Sequence, residues 1–376
     1  AIISHMAAAL HEIHTWIYDD GMDGAMATGG FFRPRGIPMI ILSGVGRSGL
    51  GVSLTPLPDS SLLVIQAQAD HPLGLKAGDI VVGYDRVPWK QLIRRLFDSQ
   101  LPISVGYSLL WGSSSESWMH ILLTSAVCNW HLFDSLDVVK YPSGDTVHLS
   151  LSTIIGWTWD KLKAVEQLPV KGVPFPVFDV SPCTGGVVEG TNVGYIYIRD
   201  WWTPGIDKRI ATVIDSLTRT MKVEGLIVDL RFNEGGTDTA LTSLGALFNG
   251  DPFKWYSYAN RTSTTDRMAF SIVPTGMTMT PKDQLFDHPI AVLTGPACLS
   301  MGDYSVFFMR SHPMVRFFGK PTNMAYVVDV FDGSYPGNLH YLYSAGSVYS
   351  NYPGEGYLLH KGFDVDERVW FTRDDV

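Results

Sequence analysis

The sequence predicts an α/β fold on a parallel sheet, and three stretches carry that prediction. Leu226-Ile227-Val228 and Ile290-Ala291-Val292-Leu293 are short continuous apolar runs, as in strands buried on both faces. Each stops abruptly in glycines and small polar residues, the first at Asn233-Glu234-Gly235-Gly236 and the second at Ser300-Met301-Gly302-Asp303. Ahead of the first run, Ile206–Lys222 has apolar residues at helical spacing (Ile210, Val213, Ile214, Leu217, Met221), which makes a βαβ step.

The 376 residues suffice for two or three domains with an ample core. With 45% apolar and 17% charged residues, the composition is that of a soluble globular protein. A net charge of −9 without a basic block argues against nucleic acid as a partner. Cys128, Cys183 and Cys298 have no metal-site spacing and allow at most one disulfide, so neither a metal nor a redox compartment is indicated. No apolar run approaches the roughly 20 residues of a membrane span, and there is no signal-peptide pattern. No cofactor motif is present.

In chain order, residues 1–43 read as a helix followed by irregular chain. His5–His14 is alanine-rich and helix-favouring, and Thr15-Trp16-Ile17-Tyr18 is strand-like before a turn at Asp19-Asp20-Gly21. Residues 44–153 form a second, β-rich domain. Leu62–Ile65 reads as a strand and Asp145–Leu151 as the closing one, with an amphipathic helical insertion over Ser115–Asp137. Gly49-Leu50-Gly51-Val52-Ser53-Leu54 and His71–Val81, which contains Leu75-Lys76-Ala77-Gly78-Asp79-Ile80, resemble the carboxylate-binding loop and signature of PDZ domains associated with proteases. The resemblance implies that Gly51, Val52 and Ser53 receive a peptide C-terminus by strand addition, with the inserted helix able to wall or block the groove. Residues 154–376 hold the core. A connector rich in Pro, Val and Gly leads to a first strand at Asn192–Ile198, and Thr237–Phe248 reads as a helix after the Gly-Gly turn. Met314–Gly319 reads as a further buried strand.

The chemistry converges on two turns. Ser300 sits at a helix N-terminus and at the carboxyl end of a strand, where open α/β sheets place ligands. A serine hydroxyl facing a glycine turn rich in N–H donors has the parts of an acyl-transfer site. The plainer reading is equally local. Ser-x-x-Asp before an apolar helix is a capping box, and Asn-x-Gly-Gly after a strand is a tight turn.

The two motifs together resemble the S41 family of serine peptidases, which includes the C-terminal-processing (tail-specific) and tricorn-type proteases. Asp229-Leu230-Arg231-Phe232-Asn233-Glu234-Gly235-Gly236 is similar to the family's D-L-R-x-N-x-G-G. Ser300–Asp303 and Gly319-Lys320-Pro321-Thr322 resemble the tricorn-type S-x-G-D and G-K-x-T. The resemblance implies a ClpP/crotonase-like βαβ core with an inserted PDZ-like domain and a polypeptide substrate. It leans towards an extracytoplasmic location. It makes Ser300 the nucleophile, with Gly235 or Gly236 and Met301 supplying the oxyanion hole. Ala9–Thr15 resembles the segment carrying the general base, which puts His14 in that role and His11 in reserve. The lysine of the bacterial tail-specific branch falls on or near Ala325, so no Ser/Lys dyad is implied; Lys320 is not the base in the tricorn-type pattern, although a desolvated lysine can act as one. The glutamate that orients the base aligns near Leu359-His360. Glu355 is the nearest acid, Asp329 and Asp332 lie further off, and no spacing selects one. Gly362–Glu367 resembles the family's G-V-x-P-D, with Val365 in place of the proline. A serine peptidase is therefore the expected activity. The alternatives are an inactive S41-like binding or scaffold protein, as in the superfamily's retinoid-binding branch, and a crotonase-like acyl-CoA enzyme, against which Ser300 argues.

Overall fold

A computed structural model describes residues 16–19, 52–92, 133–154, 169–174, 182–266, 269–274, 278–282, 285–335, 339–358 and 363–376. It divides into two compact units. One comprises Ala1–Leu168 with Gly333–Tyr341 and Trp370–Val376, the other Pro169–Asp332 with Leu342–Val369.

In the first unit, β1 (Trp16–Asp19) precedes an antiparallel sheet. The sheet is built from β2 (Val52–Pro56), β3 (Leu62–Ala67), β4 (Ile80–Tyr84), β6 (Ser135–Val139) and β7 (Thr146–Ser150), in the order β2-β3-β4-β6-β7. The two-residue strand β5 (Val87–Pro88) folds back on β4. Leu54, Leu62, Val64, Val81, Leu136 and Val138 are buried, as apolar strand residues on a core-facing sheet should be. Asp79 fixes the turn into β4. Its buried carboxylate pairs with Lys140 and accepts the N–H groups of Lys76 (2.9 Å) and Tyr141 (3.0 Å). Residues 370–376 close the unit. Trp370 donates to Thr55 Oγ1, and Arg373 donates to the carbonyls of Gly78 (2.8 Å) and Lys140 (3.2 Å). The inserted helix expected over Ser115–Asp137 lies outside the described residues up to 132. Its last residues, Ser135–Asp137, are strand instead, paired in β6 with β4 and β7.

In the second unit the sheet order is β19-β16-β15-β10-β9-β8. Here β8 is Cys183–Val187, β9 Val193–Ile198, β10 Gly225–Asp229, β15 Ile290–Thr294, β16 Val315–Gly319 and β19 Glu367–Arg368. All neighbours are parallel except the β8–β9 pair. In register, Asp229 lies beside Tyr197 and Leu293, and Leu293 beside Phe318. The loops after β9, β10, β15 and β16 therefore leave the same edge of the sheet. That is the carboxyl edge, where parallel sheets bind ligands.

Helix α1 (Ile206–Asp215) buries Ile206, Ile210 and Ile214. The helix expected over Ile206–Lys222 runs on past Asp215 as a wider π segment, Ser216–Thr220, and ends ahead of Lys222, which takes a left-handed φ of 52°. The helix expected over Thr237–Phe248 also shortens. It is one turn at Asp238–Leu241 and then a tight 3-10 segment, Thr242–Leu247. There Gly245 packs so closely that a Cβ would lie 2.8 Å from the Thr280 carbonyl. Helix α2 (Met301–Met309) is buried at every residue from Gly302 onward, as befits a helix apolar all round. Its Tyr304 and Phe308 pack on an aromatic wall, with ring centroids 5.1 Å from Tyr256 and 4.6 Å from Phe248. That wall runs into β11 (Phe253–Lys254), which pairs with β14 (Thr278–Met279), and into β12 (Tyr256–Arg261). Strand β12 pairs with β13 (Phe270–Val273) and with β18 (Leu339–Ser350), which itself pairs with β17 (Val327–Tyr335). Among the described residues, no helix is long and apolar enough to cross a membrane.

Candidate active site

The loop after β10 is set by side chains of its own motif. Asp229 ends the strand fully buried, and Arg231 folds back on it with Nε to Oδ1 at 2.9 Å and Nη2 to Oδ2 at 2.6 Å. The Arg231 N–H also donates to Oδ1 (3.1 Å), and the Tyr195 hydroxyl on β9 donates to Oδ2. Burial works against the Arg231 charge, but the Asp229 carboxylate outweighs it and raises its pKa. Burial first, then the Asp229 charge, pushes the Tyr195 hydroxyl well up, so it stays a donor. Asn233 ties the next turn. Its Nδ2 donates to the Ile198 carbonyl (3.1 Å), and its Oδ1 accepts the Gly235 N–H (3.0 Å). The Asp-x-Arg-x-Asn spacing is thus a self-contained scaffold for the two glycines.

Those glycines are forced by space as well as by backbone conformation. Gly235 (φ 88°) leaves no room for a Cβ, which would fall 2.7 Å from Ser300 Cβ and 3.0 Å from Met301 N. Gly236 (φ 135°) lies against the backbone of Trp201 and Trp202, 2.6 Å from its Cβ position to Trp202 N. The two expected donors differ. Gly235 spends its N–H on Asn233, whereas no hydrogen bond among the described residues takes the N–H of Gly236 or of Met301.

Ser300 follows the second turn, in which Cys298 N–H donates to Gly295 O and Leu299 N–H to Asn233 O (3.0 Å). It is held at φ 55°, ψ −122°, a conformation that costs a non-glycine residue about 1–3 kcal/mol. Its hydroxyl makes no capping hydrogen bond to α2. Asp303 does not complete a capping box either. Its buried carboxylate accepts the N–H groups of Met324 (2.8 Å) and Ala325 (3.1 Å), drawing the loop after β16 against the first turn of α2. Asn323 fastens the same loop, donating its N–H to Cys298 O (2.9 Å) and Nδ2 to Pro296 O (3.3 Å). Ser300 and Met301 are half-buried, while Ala297–Leu299 and Gly302–Met309 are buried. Solvent therefore reaches this turn at the serine. Burial, aided by the Asp303 charge, pushes the Cys298 thiol well up, so it is no competing nucleophile.

Ala325, where the tail-specific branch carries a lysine, is fully buried and contributes only a methyl group and its N–H. Lys320 follows β16, its N–H donating to Thr294 O (3.2 Å) and its carbonyl accepting Thr294 Oγ1 (2.7 Å). Glu355 is engaged elsewhere. It pairs with Arg310, at the end of α2 opposite Ser300, and accepts Ser350 Oγ at 2.6 Å. Asp329 and Asp332 lie on β17. His14, His11 and Gly51 fall outside the described residues; Val52 and Ser53 begin β2. Reasoning from sequence missed the roles of Asn233 and Asp303, although both sit inside the motifs it singled out. It also missed Trp202 beside Gly236, which no spacing announces.

Residues 192–335 match the model of peptidase family S41. Over that segment the chain is similar to the S41 family. No curated protein matches the chain. Among solved structures, mature CPAF complexed with lactacystin is similar over 100% of this chain and 84% of its own, at 13% identity and TM-score 0.66. At that identity the likeness is one of fold. The photosystem II D1 C-terminal processing protease matches 98% of this chain and 80% of its own, at 14% identity and TM-score 0.45. A protein of Parabacteroides merdae ATCC 43184 described as a peptidase matches at 19% identity and TM-score 0.45; the chain covers 61% of it, and 55% of this chain is matched. Neither the tricorn-type branch nor a PDZ domain is singled out by these comparisons.

Proposed function

We propose that this protein is a serine peptidase that cleaves polypeptides through an acyl-enzyme on Ser300. The observation that carries the proposal is the strained Ser300, uncapped and half-buried at the head of α2, packed against Gly235. Ser300 Oγ attacks the scissile carbonyl and gives its proton to His14, the proposed base. The N–H groups of Gly236 and Met301, aided by the helix N-terminus, would receive the oxyanion. The amine product leaves with the proton returned by His14. Water then attacks the ester, with His14 again as base. The core is of the crotonase-like, tricorn-type form in this reading. Residues 44–153 act as a PDZ-like module that receives substrate C-termini at Gly51, Val52 and Ser53.

Fluorophosphonate labelling tests the proposal. The wild type should label at one site, and Ser300→Ala should abolish labelling and peptide cleavage while staying folded, since its hydroxyl caps nothing. A folded Ser300→Ala protein that still cleaves would refute the assignment. The second reading is a non-catalytic binding protein with an S41-type core. It is favoured by the commitment of Glu355 to Arg310 and Ser350, which leaves that acid unavailable to orient a base. A folded wild type that neither labels nor cleaves would select it.

A further inference from the structure

The loop after β9 shares the carboxyl edge with the Ser300 turn, and it holds two tryptophans with opposite fates. Trp201 is fully buried, whereas Trp202 is 49% exposed, the one exposed tryptophan among the described residues. Exposing an indole forgoes much of the burial that makes tryptophan stabilising. Its backbone, however, is held firmly. Asp200, itself buried, accepts the N–H groups of Trp202 (3.2 Å) and Thr203 (2.9 Å) and the Thr203 hydroxyl (3.0 Å). On the other side the Trp201 backbone N–H donates to Gly235 O (2.8 Å), and Trp201 O accepts from Thr237 N–H (3.2 Å) and Thr237 Oγ1 (2.8 Å). Gly236 packs directly on the Trp201–Trp202 peptide unit.

These contacts fix how far Trp202 stands from Ser300. Gly235 touches Ser300, Gly236 follows it, and Gly236 touches Trp202. Summed along that path, with adjacent Cα atoms ~3.8 Å apart, the Trp202 amide nitrogen lies at most about 12 Å from the Ser300 Cβ. An extended peptide covers that distance in about four residues. An aromatic residue whose backbone is fixed this near the reacting serine loses little backbone freedom on meeting a ligand.

We propose that Trp202 is a specificity-determining residue, forming an apolar subsite that grips a large hydrophobic side chain of the polypeptide near the scissile bond. The inference rests on the peptidase reading of Ser300. It adds the substrate class: chains presenting bulky apolar residues, as unfolded polypeptides do.

The test compares two otherwise identical decapeptide series, carrying Phe or Ala at each position in turn. Wild type should prefer Phe at one position. Trp202→Ala should lower kcat/KM for that Phe peptide about tenfold, mainly through KM, as expected for the loss of about 1.4 kcal/mol of contact. The Ala peptide should be much less affected, and Trp202→Phe should restore most of the preference. Fluorophosphonate, which engages only Ser300 and its donors, checks that the serine is intact in each variant. An equal loss for both peptides, or no loss, overturns the proposal. Binding of the labelled peptides to Ser300→Ala and to Ser300→Ala/Trp202→Ala gives a readout free of catalysis. If wild type fails to label, the peptidase reading falls. Phe-selective binding that depends on Trp202 would still uphold the subsite, and its absence would overturn it.

Discussion

Gly235→Ala isolates the contact between the two turns from the chemistry of the serine. The added methyl would lie 2.7 Å from Ser300 Cβ, against an optimal carbon–carbon separation of about 3.5 Å. Something must move by about 0.8 Å, and Leu299 O and Met301 N at 3.0 Å block two other directions. The mobile partner is Ser300, since Gly235 is anchored through Asn233 and Trp201. The φ of 88° adds about 1–2 kcal/mol for a residue with a side chain. The expected loss of stability is therefore about 1–3 kcal/mol, which a core of this size should survive. The effect on reactivity should be much larger, because displacing a reacting group by about 1 Å costs on the order of 100-fold in rate. The assay is the second-order rate of fluorophosphonate labelling, with a urea melt of the same sample. A folded Gly235→Ala protein that labels at the wild-type rate would refute the packing argument.

Asp303→Ala should leave the N–H groups of Met324 and Ala325 unpaired in a buried site, at about 1–3 kcal/mol each. Denaturation should report that loss, and labelling of Ser300 should slow as the loop after β16 loosens. His312 gives a pH signature. It donates Nε2–H to Leu247 O (3.0 Å) and accepts Met314 N–H at Nδ1 (3.2 Å), so it is neutral in the fold, and burial lowers its pKa. Its contribution is therefore fully present above the unfolded value of about 6.5 and is lost as pH falls through it towards the lower native value. Urea midpoints of wild type should drop between pH 7.5 and 5 more than those of His312→Gln; parallel profiles would contradict this.

The parallel core was legible because its strands are short, doubly buried apolar runs, and β10 and β15 lie where Leu226 and Ile290 begin such runs. The Ser300 turn was legible as a pattern, but its character was not. Whether the hydroxyl caps a helix depends on a backbone angle and on where Asp303 points, and Asp303 points across 21 residues of sequence to Met324. Glu355 was a choice by proximity, and its pairing with Arg310, at the end of α2 opposite Ser300, is encoded by no local spacing. Helix ends misread for a similar reason. The close approach of Gly245 to Thr280 is a tertiary effect that periodicity does not encode.

The closure of the first unit by Trp370 and Arg373 sets an order of assembly. Thr55 waits for a partner 315 residues downstream, and the Gly78 carbonyl for one 295 downstream. At the usual pace of synthesis that interval is roughly 15–60 s. Throughout it the sheet that emerges first lacks its last hydrogen bonds, while all of β8 to β16 is made and can fold. The chain is therefore fastened from its far side, and a fragment ending at residue 153 would omit the fastening.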